Sequence, residues 1–98
     1  MKTWKNLVKD YLIYLKIERG LSENSIKSYS YDIKNLLNYI KKYNSKLSLK
    51  QCDKQFMQEF IYEISKNINS RSQSRLLSSL KSFFNYLVFE GYNNTSPM

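Results

Sequence analysis

Apolar side chains recur every three or four positions in four separate blocks, a spacing that predicts four amphipathic helices. The first block runs from about Thr3 to Arg19 and carries Trp4, Leu7, Val8, Tyr11, Leu12 and Leu15. Gly20 follows it as a residue able to close a helix in the left-handed conformation. Ser22 is a good N-cap for a second helix from about Glu23 to Tyr43, where Ile26, Tyr29, Ile33, Leu36, Leu37 and Ile40 share a face. A polar connection from Asn44 to Gln51 has Leu47 and Leu49 as its expected anchors. Asp53 can cap a third helix bearing Phe56, Met57, Phe60, Ile61 and Ile64. After a break at Asn67 to Ser70, the fourth runs from about Ser72 to Glu90, with Leu76, Leu77, Leu80, Phe83, Phe84, Leu87 and Val88 apolar, and Gly91 ends it. No block alternates with period two, so strands are not expected. The connections are short enough that successive helices must be neighbours. The expected fold class is all-α, a compact four-helix domain.

Composition narrows the function classes. Ninety-eight residues make one domain, large enough to bury a core without disulfides or metal. The absence of His and the single Cys leave neither the usual zinc sets nor His-based acid–base chemistry, so no cofactor or metal is expected. Two Gly and one Pro are too few for a glycine phosphate cradle. Cys52 reads as a bystander near a helix start, and one unpaired Cys fits a reducing compartment. Lys5, Lys9 and Asp10 interrupt the apolar residues of the N-terminal stretch, which therefore does not read as a signal peptide. No run approaches a membrane span. The expectation is a soluble, cytosolic protein without membrane or small-molecule partners. Thirteen Lys against three Arg, with ten Asn and no Ala, point to an AT-rich coding sequence that accounts for part of the Lys excess.

The net charge of +8 fits an anionic partner, and its distribution says more than its total. Residues 24–50 hold six Lys against one Asp, a net +5, and residues 66–89 hold four basic residues and no acid, +4. Residues 53–65 hold one Lys against three acids, −2. On a helical wheel, the second helix places Asn24, Lys27, Tyr31, Lys34 and Asn38 opposite its apolar face. The fourth places Arg71, Arg75, Ser78 and Ser82 there, with Lys81 and Asn85 at the edge. Cations interleaved with short hydrogen-bonding side chains suit phosphates and base edges. Each stripe also starts at a helix N-terminus, where free N–H groups and the dipole favour a phosphate. A Lys-rich helix face is often no more than solvated surface, but two such faces flanking an acidic helix weigh toward an anion-binding surface.

Two segments resemble a family. Arg71-Ser72-Gln73-Ser74-Arg75-Leu76-Leu77-Ser78-Ser79-Leu80-Lys81-Ser82-Phe83-Phe84-Asn85-Tyr86-Leu87 is similar to the last helix of the core-binding domain of tyrosine recombinases, the phage-integrase and Xer-like site-specific recombinases, which reads roughly S-x-x-R-x-L-S-A-L-R-x-F-F-x-F-L. Gly20-Leu21-Ser22-Glu23-Asn24-Ser25-Ile26-Lys27-Ser28-Tyr29, with Asp32 and Ile33, resembles that domain's G-L-S-x-N-T-x-x-Y-x-x-D-L. The order, the spacing of the two segments, and the closing Gly91-Tyr92 and Ser96-Pro97 agree as well. Ser25, Ser79 and Lys81 stand where Thr, Ala and Arg are common, and the last weakens any bidentate contact at that position.

The resemblance implies an orthogonal SAM-like bundle whose second and fourth helices lie against the major groove of double-stranded DNA. That brings Asn24, Ser25, Lys27, Ser28, Tyr31 and Lys34 near DNA from the second helix, and Arg71, Ser72, Ser74, Arg75, Ser78 and Lys81 from the fourth, with Ser82 added from the wheel. It also implies residues 1–92 as the core-binding domain and 93–98 as the start of a linker to a C-terminal catalytic domain, whose Arg, Lys, His-type and Tyr set lies elsewhere. These residues are therefore expected to bind DNA without cutting it. The tyrosines are not candidate nucleophiles; Tyr11, Tyr29 and Tyr62 are expected in or half in the core. Ile13 and Ile17 lie away from the core stripe of the first helix. They are expected to pack on the linker or fourth helix, or to contact another recombinase protomer on DNA. Two other classes stay open: a helical protein-interaction module for an acidic partner, and a helix-turn-helix regulator, for which the helices are long.

Overall fold

The computed structural model describes residues 3–44, 47 and 51–98. They form four helices, α1 (Trp4–Ile17), α2 (Glu23–Asn44), α3 (Lys54–Ser65) and α4 (Ser70–Phe89), and no strand among the described residues. Each helix starts at a side-chain cap. Thr3 Oγ1 accepts from the Asn6 N–H, Ser22 Oγ from Ser25 N–H, Asp53 Oδ1 from Phe56 N–H, and Asn69 Oδ1 from Ser72 N–H. Such a cap contributes about 1 kcal/mol. Because Asn69 caps α4, that helix begins two residues before the expected Ser72. It ends in a Schellman motif. Gly91, at φ +80°, lets its own N–H reach the Val88 carbonyl and the Tyr92 N–H reach that of Leu87.

Helix α2 packs against both α1 and α4. The four apolar stripes meet in one core, where Leu7, Tyr11 and Leu15 of α1, Ile33 and Leu36 of α2, Met57 and Phe60 of α3, and Leu76, Leu80, Phe83, Phe84 and Leu87 of α4 are buried. The rings of Tyr11 and Phe83 meet edge to face at 5.1 Å, and Tyr39 lies against Phe60 at 5.1 Å, tying α3 to α2. Leu47 anchors its connection, since it is half-buried and its carbonyl accepts from Trp4 Nε1 at 2.8 Å. Leu49 lies outside the described residues.

One expectation about burial needs correction. Tyr62 is 66% exposed, because it projects from α3 on the side away from Met57 and Phe60. Leu77 and Val88 are half-buried, while Tyr86 takes a buried place against Tyr14 at 4.8 Å. Tyr11 is fully buried and Tyr29 half-buried.

Cys52 is buried beside α3, its thiol 3.3 Å from Met57 Sδ. Burial, with a smaller contribution from Asp53, pushes the thiol up to about 12. Iodoacetamide at neutral pH is therefore expected to leave Cys52 unmodified in the folded chain and to label it once denaturant unfolds it; rapid labelling without unfolding would contradict this burial. Burial also pushes the Tyr11 hydroxyl up to about 12, against the pull of its hydrogen bond to Ser82. Both groups stay protonated in the fold above their ordinary values of 9.0 and 10.0. The stability they contribute is thus present below those values and lost as pH rises toward the raised ones.

Candidate nucleic-acid interface

α2 and α4 are neighbours, and each carries exposed polar side chains. From α2, Asn24, Ser25, Lys27, Tyr31 and Lys34 are exposed and Ser28 is half-buried. From α4, Arg71, Ser74, Arg75, Ser78 and Lys81 are exposed, with Ser72 half-buried. The helices are stitched together where these faces meet. The Asp32 carboxylate of α2 is 2% exposed and receives the Arg75 guanidinium in a two-point pair, Nε to Oδ2 at 3.1 Å and Nη2 to Oδ1 at 2.9 Å. Ser79 Oγ, fully buried on α4, donates to the same Oδ2 at 2.7 Å. The Tyr31 ring lies 5.9 Å from the guanidinium carbon. The hydrogen bond to Asp32 is the main reason the guanidinium is pushed further above its ordinary value, so Arg75 is a permanent cation.

The expected site residues do not all play the same part. Tyr31 and Arg75 are brought together at the seam, and Arg71 lies one turn before Arg75 on the same helix. Lys27, Lys34, Ser74, Ser78 and Lys81 form the exposed flanks. Ser82 is half-buried, and its hydroxyl shares a 2.7 Å hydrogen bond with the Tyr11 hydroxyl, so it faces α1. The exposed stripe of α4 is therefore centred on Ser74, Ser78 and Lys81 rather than on the line from Arg75 to Ser82. Ser25 serves partly in the cap of α2, where its hydroxyl accepts from Ser22 Oγ at 3.1 Å. Sequence reasoning placed Asp32 in a motif but missed its role and that of Ser79. The available signal was that Asp32 is the lone acid of residues 24–50 and sits beside Ile33 on the core side of the wheel.

Among the described residues no group of three or more His, Cys, Asp or Glu could hold a metal, and no helix is long and apolar enough to cross a membrane. On α1, Ile13 and Ile17 are 50% and 73% exposed and line a shallow groove between α1 and the end of α4, with Asp10, Glu18 and Glu90 among its walls.

The profile of the phage integrase N-terminal SAM-like domain matches residues 8–91, from the buried Val8 of α1 to the glycine that closes α4. The chain belongs to that family. Similar proteins agree. The tyrosine recombinase XerD of Listeria monocytogenes (serotype 4b) is 34% identical over 96 residues, covering 95% of this chain and 32% of the recombinase. XerC of Leptospira interrogans is 34% identical over 89 residues, covering 91% of this chain and 29% of the relative. A tyrosine recombinase of Thermosipho africanus is 34% identical over 93 residues, covering 94% and 32%. The chain thus spans about a third of the length of the curated relatives it matches. No solved structure matched it. As an integrase SAM-like domain, the chain has both the α2 and α4 faces within the matched residues.

Proposed function

We propose that this chain is the core-binding domain of a site-specific tyrosine recombinase, and that it clamps double-stranded DNA through the joined faces of α2 and α4. The observation that carries the reading is the pairing of α2 with α4 by Asp32, Arg75 and Ser79, with Lys27, Lys34, Arg71 and Lys81 exposed on the two paired helices. These cations would neutralise phosphates, while Asn24, Ser25, Ser28, Ser72, Ser74, Ser78 and Tyr31 would bond phosphate oxygens or base edges. Ser82 would contribute through the packing of α4 on α1. Residues 1–92 would form the binding unit, and residues 93–98 would lead to the catalytic domain that cuts and rejoins DNA. Ile13 and Ile17 are the proposed contact with another protomer on DNA.

The test is the salt dependence of binding to a fluorescent duplex of about 30 base pairs. With about six phosphates neutralised, the logarithm of the association constant should fall against log salt with a slope of about −5. A slope near zero would remove phosphate contact as the basis of binding.

A further inference from the structure

Arg75 differs from every other cation on the proposed surface because its charge is matched from within the fold. A guanidinium carries five N–H donors in one plane. Asp32 takes two from the same edge, Nε–H and one Nη2–H. The two Nη1 protons and the second Nη2 proton are left at the far end of the fork. The base of the fork is fixed, since Asp32 is buried and its Oδ2 is also held by Ser79. Tyr31 lies over the guanidinium, yet the Arg75 side chain is still 42% exposed. The outcome is a guanidinium held along one edge, with three N–H protons outside the Asp32 pair, on a side chain that stays half-exposed at the seam of α2 and α4.

Two physical consequences separate Arg75 from its neighbours. Its positive charge is offset by a carboxylate 2.9 Å away, so it attracts a phosphate less than Arg71, Lys27, Lys34 or Lys81, which make no ion pair among the described residues. Its orientation, by contrast, is already fixed, so little conformational freedom remains to be lost on binding. Weak charge attraction with a pre-aimed planar fork suits recognition of two acceptors in fixed geometry, and guanine presents O6 and N7 in that way in the major groove.

We infer that Arg75 reads a guanine edge rather than a phosphate, and that Asp32 is the positioning residue that aims it; this rests on the DNA-binding reading above. Arg71, one turn away and without a buried carboxylate partner, is by the same argument a phosphate contact.

The experiment presents the 98-residue chain with a pool of duplexes randomised over their central segment and sequences the bound fraction. The wild-type chain should enrich guanine at one position. Arg75→Lys keeps a cation beside Asp32 but loses the fork. It should reduce that enrichment about tenfold or more, while affinity for a duplex lacking the guanine stays within about threefold. Arg71→Lys should keep the enrichment. A purely structural role for Arg75 would weaken binding to all duplexes alike and leave the preference unchanged. Enrichment that survives Arg75→Lys, disappears equally in Arg71→Lys, or is absent from the wild type overturns the inference. Failure of the wild type to bind any duplex overturns the DNA-binding reading itself. A measurement without substitution uses the Arg75 Nε–H resonance. It should hold its position when the enriched duplex is added, while the Nη protons shift. Release of Nε–H to the value of a free arginine would overturn the positioning role of Asp32.

Discussion

Arg75→Ala is expected to destabilise the fold by about 3–5 kcal/mol, a large share of the stability of a domain this size. The change leaves the Asp32 carboxylate 2% exposed with a single remaining donor, Ser79 Oγ. A buried charge without its partner is among the costlier lesions a small fold can carry, whereas an exposed ion pair contributes only about 0–1 kcal/mol. The order of effects is informative. Asp32→Ala lets the half-exposed Arg75 swing into water and orphans only the Ser79 hydroxyl, so it should cost less, about 1–3 kcal/mol. Urea unfolding at neutral pH would give both values. Equal and small losses for the two variants would mean that the pair is no more than a surface ion pair.

Neutralising the proposed surface should have the largest effect on binding. Replacing Lys27, Lys34, Arg71 and Lys81 together by Gln removes four exposed cations while leaving the core and the Asp32–Arg75 pair in place. Each phosphate contact contributes about 0.9 to the salt slope, so the slope should fall in magnitude by about 3.6 and affinity near 0.1 M salt by on the order of a thousandfold. Replacing Lys5, Lys9, Lys16 and Lys54, also exposed, makes the same change in net charge on α1 and α3. If that control lost as much affinity, binding would follow total charge rather than the α2–α4 surface.

Most of the fold was legible because each helix carries its own instructions. The three-four rhythm, the caps at Ser22 and Asp53, and the closing glycines are local signals, and they place four helices within a few residues of their observed ends. What the sequence hid was long-range. The wheel puts Asp32 on the core side of α2, but Arg75 is 43 positions away and nothing local says that it leans over the carboxylate. Ser79 looks like a polar interruption of an apolar stripe until Asp32 supplies its acceptor. Tyr62 and Tyr86 show the same limit, since a phenol suits either a core or a surface and only the packing of neighbouring helices decides. For the candidate site, the wheel located both faces, but one face had to be re-centred. Ser82 turns toward Tyr11, because α1 occupies that side of α4.

Whether α2 and α4 together form the surface that meets DNA can be read from a backbone amide chemical-shift titration of the chain with a short duplex. Saturable shifts are expected along Asn24–Lys34 of α2 and Arg71–Lys81 of α4, with α3 and the outer face of α1 unaffected. Shifts concentrated on α3 or around Ile13 and Ile17, or no saturable shifts at all, would contradict it.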